Sequence, residues 1–201
     1  MKLTSCMTTA QSKASLRKTL RQARRSIPRP AQQRAAVRLC QLVSPWLSPR
    51  RTPRIALYLA EDGELSAAPL IDYCWAHQIK VFLPVLNPLS SKMWFAHYTP
   101  ESTLTPNRFG IPEPLDGDLV RLWQLNLVLL PLVGFDTDGG RLGMGGGFYD
   151  RVFANRHLWP RQPGMFGIAH ECQKVDQIPR EPWDIPLDGI FSDRRIYPKS
   201  G

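Results

Sequence analysis

The chain has 201 residues, with 26 Lys and Arg against 17 Asp and Glu, a formal net charge of +9. That length suits one domain, here expected to run from 1 to 201, able to bury a core without disulfides or a structural metal. With 43% hydrophobic and 21% charged residues it does not have the composition of a disordered chain. The positive balance favours an anionic partner and leaves nucleic acid and a polyanionic small molecule both open. Cys6, Cys40, Cys74 and Cys172 show no CxxC spacing and read as free thiols in a reducing compartment or as buried small hydrophobes. No signal peptide and no run of about 20 apolar residues is present, so no membrane association and a cytoplasmic location are expected.

In chain order, Leu16, Leu20, Ala23 and Ile27 recur at helical spacing and predict a helix over Ser12 to Ile27, with Ser12 as N-cap. A neighbouring stripe carries Lys13, Arg17, Arg21 and Arg24. Pro28 and Pro30 should end this helix, and a second should run from Ala31 to Trp46 before SPRRTP breaks it. Arg54–Ala60 (RIALYLA) reads as a buried strand, followed by the turn EDGE and a helix over Ser66–Gln78 with Leu70, Ile71, Cys74 and Trp75 on one side. Lys80–Leu86 is a second strand, and Lys92–Tyr98, mixed in pattern, an edge strand. Leu125–Val133 (LNLVLLPLV) is the most hydrophobic stretch and should be central. Phe148–His157 reads as a helix with Phe148, Val152 and Phe153 towards the sheet. Strands at Met165–Ala169 and Gly189–Phe191 complete the core, and IYPKSG reads as strand before the end. Strand, helix, strand order with short links points to a mostly parallel sheet flanked by helices.

Between the central strand and the next helix lie seven of the chain's 14 glycines, Gly134 to Gly147, in the run VGFDTDGGRLGMGGG. A loop after a buried strand can aim several N–H groups at an anion, with the following helix dipole helping. The named phosphate fingerprints fail: GxxxxGK[ST] from Gly140 meets Gly146 and Gly147, and GxGxxG from Gly143 meets Phe148. A glycine-rich surface turn and a phosphate site both fit this composition. Arg141 and Arg151 alongside, with Asp150 at the helix start, favour the site.

Taken whole, PLVGFDTDGGRLGMGGGFYDR resembles the signature of the 5-formyltetrahydrofolate cyclo-ligase (5,10-methenyltetrahydrofolate synthetase) family. KASLR at Lys13–Arg17, YLAEDGEL, NRFGIPEP and WDIPLD resemble its other motifs in the same order. The resemblance implies a three-layer α/β/α fold with a mostly parallel central sheet, and ATP- and Mg2+-dependent conversion of 5-formyltetrahydrofolate to 5,10-methenyltetrahydrofolate by a monomer. By the same matching, Lys13, Arg17, Arg141, Gly143, Gly145, Gly146, Gly147, Phe148 and Tyr149 would contact ATP, Arg141 and Tyr149 acting in catalysis. Asp150 and Asp184 would hold Mg2+, and Leu59, Glu64 and Phe109 the folate, with Met93, Trp94 and Phe95 candidates for widening that pocket. Arg21 and Arg24 are left as a solvated basic face, and His77, His97, His157 and His170 receive no role. Where many members have GKGYYD this chain has GGGFYD, so Gly146 and Phe148 stand in place of a lysine and a tyrosine. Two rival readings are a basic nucleic-acid-binding protein and a folate-binding relative without turnover.

Overall fold

A computed structural model of the chain describes residues 3–90 and 92–199, and side chains from residue 13 onward. Its centre is a seven-stranded sheet. In chain order the strands are β1 (Arg54–Ala56), β2 (Lys80–Leu86), β3 (Met93–Tyr98), β4 (Leu104–Pro106), β5 (Pro112–Pro114), β6 (Leu127–Pro131), β7 (Gly134–Phe135), β8 (Arg141–Leu142), β9 (Gly164–Ala169), β10 (Gly189–Ser192) and β11 (Ile196–Pro198). The sheet runs β11-β10-β9-β6-β1-β2-β3. The five inner strands are parallel, and β3 and β11 close the edges antiparallel. Two small hairpins, β4–β5 and β7–β8, lie apart from it.

Side-chain alternation sorts the core onto two faces. Ile55, Val81, Leu129 and Phe191 pack with α2 (Arg29–Val43) and α3 (Ala68–Ala76). Ala56, Phe82, Val128, Leu130 and Ile190 face the other way, onto α4 (Phe148–Phe153). The layers are therefore helix, sheet, helix, as expected. The long α1 (Leu3–Arg25) joins neither core; Leu20 seats in a separate cluster with Val133, Leu142 and Ile178. A Cβ at Gly134 would stand 2.5 Å from Leu20 Cδ1, so the missing side chain is what lets α1 approach.

Several boundaries differ from expectation for identifiable reasons. Ser12 is inside α1, not its N-cap. Pro28 and Pro30 open α2 rather than close α1: the Pro28 carbonyl accepts from Ala31 and Gln32, and Pro30 sits in the first turn, where a missing N–H costs nothing. β1 is shorter than RIALYLA suggested. In this parallel register the Leu57 carbonyl would take its next bond from residue 84, a proline without an N–H. After the last ladder bond, from Leu57 N to Phe82 O at 2.9 Å, Tyr58 to Ala60 run on beyond β1 towards the cleft. α4 stops at Phe153, and Arg156–Leu158 form a separate short turn of helix. β2 matches its expected span, and β3 lies at an edge.

α4 is only six residues long, so its position depends on Phe153, fully buried between Phe95 and Trp159 at ring-centroid distances of 6.2 and 5.8 Å. Phe153→Ala should cost about 3–5 kcal/mol, measured as a lowered urea midpoint; a loss under 1 kcal/mol would show that α4 is held in place by something else.

Candidate active site

Ligands in open α/β sheets bind beyond the carboxyl ends of the strands. There the protein has a cleft of about 1150 Å³. One wall is the basic stripe of α1. Lys13 Nζ donates to Asp184 Oδ2 at 3.1 Å and lies 3.8 Å from Glu181. Arg17 Nε donates to the Gly143 carbonyl at 2.8 Å. The middle of the chain's basic helix is thus tied to the glycine loop 126 residues later.

Arg24 departs from its expected solvated role: it is fully buried. Its Nη2 donates to Asp62 Oδ2 at 2.7 Å, its Nε to the Asp62 carbonyl at 2.9 Å and its Nη1 to Leu132 O at 3.3 Å. Arg21 and Arg25 pair with the same carboxylate. Burial alone would raise the pKa of Asp62, but hydrogen bonds from the three arginines outweigh it and hold the carboxyl well below its usual range. A buried guanidinium with one partner removed typically costs about 3–5 kcal/mol. Helical charge spacing alone reads as a surface stripe; the distinguishing signal is an acid in the EDGE turn, distant in sequence.

Arg24 also stands 3.6 Å from Glu64, which lies near the cleft floor. Burial pushes the Glu64 carboxyl up to about 7, against the lowering effects of Arg24 and the Glu61 backbone. Tyr149, in the first turn of α4, is raised by burial and by Glu64, with Arg141 partly offsetting. Leu59 and Met93 line the same cleft. Trp94 is exposed and Phe95 lies in the core, so the pocket gains only Met93 from that strand. Phe109, on the β4–β5 loop, sits at the mouth, edge-to-face with Phe148 at 6.2 Å.

The glycine run begins as the β7–β8 hairpin, not directly as a loop. Its turn is held by Asp136, 1% exposed, whose carboxylate accepts from Gly140 N (2.7 Å), Asp138 N (3.0 Å), Ile178 N (2.9 Å) and Arg180 (3.0 Å). The chain then crosses the cleft through Gly143 to Gly147. Gly145 (φ 97°) and Gly147 (φ 61°) take backbone conformations that disfavour side chains. The N–H groups of Met144 to Gly147 have no hydrogen-bond partner among the described residues. Several amides are therefore available to one anion at the start of α4.

Arg141 ties the walls together. It pairs with Asp150 of α4, and its Nε donates to Ile185 O at 3.3 Å. Ile185 N returns a bond to Asp150 Oδ1 at 3.1 Å, while Asp184 Oδ2 accepts from Glu181 N at 2.8 Å. Lys13 and Arg141 thus meet adjacent residues of one segment. Among the described residues no cluster of three or more His, Cys, Asp or Glu could cage a metal. Asp150 and Asp184 each have one carboxylate oxygen engaged, a fit for Mg2+, which binds through one or two carboxylates plus substrate phosphates.

The profile of the 5-formyltetrahydrofolate cyclo-ligase family matches residues 9–193. The chain belongs to that family. The 5-formyltetrahydrofolate cyclo-ligase of Escherichia coli K12 is 44% identical over 146 residues, covering 71% of this chain and 79% of the relative. That of Haemophilus influenzae is 36% identical over 185 residues, covering 90% and 97%. The solved 5,10-methenyltetrahydrofolate synthetase of Aquifex aeolicus superposes with a TM-score of 0.80 at 25% identity, covering 94% of this chain and 93% of that one. The chain is accordingly a ligase of folate chemistry. Gly146 and Phe148, which differ from the GKGYYD of the resembled motif, lie side by side: a Cβ at Gly146 would stand 2.9 Å from the Phe148 ring. The ring lies where a side chain at 146 would begin. Among the described residues no helix is long and apolar enough to cross a membrane.

Glu64 should leave a pH signature. From 4.5, its ordinary value, to about 7 the folded protein keeps a proton that the unfolded chain has released, so its contribution falls as pH rises through that window. Glu64→Gln should match the parent near pH 4 and exceed it by up to about 3 kcal/mol at pH 8. Urea unfolding across pH tests this; an identical pH slope in both proteins would contradict it.

Proposed function

We propose that the chain, working as a single-domain cytoplasmic monomer, converts 5-formyltetrahydrofolate and ATP to 5,10-methenyltetrahydrofolate, ADP and phosphate, with Mg2+. The observation that carries this reading is the meeting of Lys13 and Arg141 at the Asp184–Ile185 segment, beside unpartnered glycine-loop amides and open to the Glu64 pocket. It supports a triphosphate held against a buried, uncharged ring system.

The chemistry requires such a junction. A formamide oxygen is a poor leaving group. Its attack on the γ-phosphorus forms an O–P bond and breaks the bond to the β-phosphate bridging oxygen, releasing ADP. N10 then attacks the activated carbon; the C–O bond breaks, phosphate departs with the former formyl oxygen, and the N10 proton is lost. Phosphoryl transfer needs positioning and positive charge rather than covalent help from the protein.

In this reading Lys13, Arg17, Arg141 and the backbone of Gly143, Gly145, Gly146, Gly147 and Phe148 hold the triphosphate. Arg141 and Tyr149 face the transferring group, Tyr149 as a hydrogen-bond donor that stays protonated. Asp150 and Asp184 would hold Mg2+, which when bound neutralises charge on the phosphates. Leu59 and Phe109 pack on the folate. Glu64, titrating near neutrality, can hold a proton at the pterin or formyl end.

Purified protein given 5-formyltetrahydrofolate and MgATP should develop methenyl absorbance, and chelating Mg2+ should abolish it. Folate binding without absorbance change would instead make the chain a non-catalytic relative, and salt-sensitive RNA or duplex affinity alone a nucleic-acid binder. Asp150→Asn should lower turnover by about 100-fold or more, since it weakens both the metal site and the Arg141 tie; near-normal rates at low Mg2+ would count against it. Lys13→Ala should raise the ATP KM about tenfold and the folate KM less; the reverse pattern would move Lys13 out of the triphosphate site.

A further inference from the structure

We propose that Arg151, on the lining of the cleft, and Arg108, just outside it against the rim residue Phe109, form a carboxylate clamp holding the glutamate tail of the folate. The proposal rests on the function proposed above and adds a subsite to it.

The clamp is built around the Phe148 ring. Arg151, one turn further along α4, places its Cζ 5.2 Å from that ring centroid and donates from Nη2 to the Gly146 carbonyl at 2.6 Å. Arg108 arrives from the β4–β5 loop, its Cζ 5.9 Å from the same ring and 5.0 Å from Phe109. Carbonyls of Pro88 and Ser90 accept from its two terminal nitrogens, each at 3.3 Å. Two guanidinium groups from distant parts of the chain are thus oriented by ring faces and carbonyls about one aromatic side chain.

Neither forms a salt bridge among the described residues, whereas Lys13, Arg24 and Arg141 each have a carboxylate partner. Like charges brought together without a counter-charge repel, and an arriving anion removes that cost. Arginine suits this task because its fork can take a carboxylate bidentately.

The direction of the cleft selects the anion. Glu64 marks its buried end, and the Phe109–Phe148 pair its exposed rim. A folate is flat and polar at the pterin, aromatic at the benzoyl ring and dianionic at its glutamate. With the pterin against Glu64, the benzoyl ring passes the aromatic pair and two carboxylates emerge beside two guanidinium groups. The triphosphate is the competing anion, because Arg151 also touches Gly146.

Steady-state kinetics of the full chain separate these cases. The substrates are 5-formyltetrahydrofolate and 5-formyltetrahydropteroate, which ends at the benzoate and lacks the glutamate. Arg108→Ala with Arg151→Ala should raise the KM for the glutamate-bearing substrate about tenfold. The KM for ATP and that for the pteroate analogue should stay within about twofold. Both side chains are exposed, and a urea midpoint equal to the parent's shows that the variant keeps the fold. An equal rise for ATP would assign the arginines to the triphosphate; an equal rise for the analogue would make them structural; no rise would remove the clamp. Each of these overturns the proposal. If the parent binds folate without turning it over, the function proposed above fails; dissociation constants for the same two ligands then decide the clamp by the same comparison. A parent that binds neither overturns both.

Discussion

The cleft depends on a single electrostatic constraint: cations from distant parts of the chain must stand close together before any anion arrives. The protein meets it by giving the cations their own carboxylates. Asp62 gathers Arg21, Arg24 and Arg25, Asp184 takes Lys13, and Asp150 takes Arg141. At the few-ångström separations involved, uncompensated positive charges would repel by several kcal/mol at an effective dielectric near 20. Paired, they form a preorganised wall.

The three carboxylates differ in what they can give up. Asp62 is locked by three guanidinium groups and anchors α1 permanently. Asp150 and Asp184 hold their cations from one oxygen each, and Asp150, from α4, also accepts from the backbone of Ile185 next to Asp184. In the proposed reaction these two would hold Mg2+, and the phosphates would serve as counter-charge for Lys13 and Arg141. The resting ion pairs and the working site are then two arrangements of the same groups. Glu64 shows the opposite balance: burial outweighs its nearby arginine, so this buried end of the cleft can carry a proton near neutrality.

The sheet was largely legible because its signals are local. LNLVLLPLV holds the central strand in its middle, Leu127–Pro131, two residues shorter at each end than expected, and KVFLPVL matched its boundaries. What escaped depended on partners far away in sequence. Ladder loss after Ala56 requires knowing that Pro84 sits opposite; the burial of Arg24 requires Asp62; the closed hairpin before the glycine loop requires Asp136 to be gripped by Ile178 and Arg180. The resemblance brought Lys13, Arg17, Arg141, Asp150 and Asp184 to notice, and the structure gathers them about one cleft. It gave no reason for the burial of Arg24 or for Arg108 and Arg151 to gather about Phe148, since those contacts come from packing in this chain.

The central claim is that the formyl oxygen of the folate and the γ-phosphoryl of ATP meet in this one cleft. The most direct measurement labels the formyl group of 5-formyltetrahydrofolate with oxygen-18 and follows the label through turnover with MgATP. The account predicts that the released phosphate carries it. Phosphate formed without the label, while methenyl product accumulates, would contradict the account.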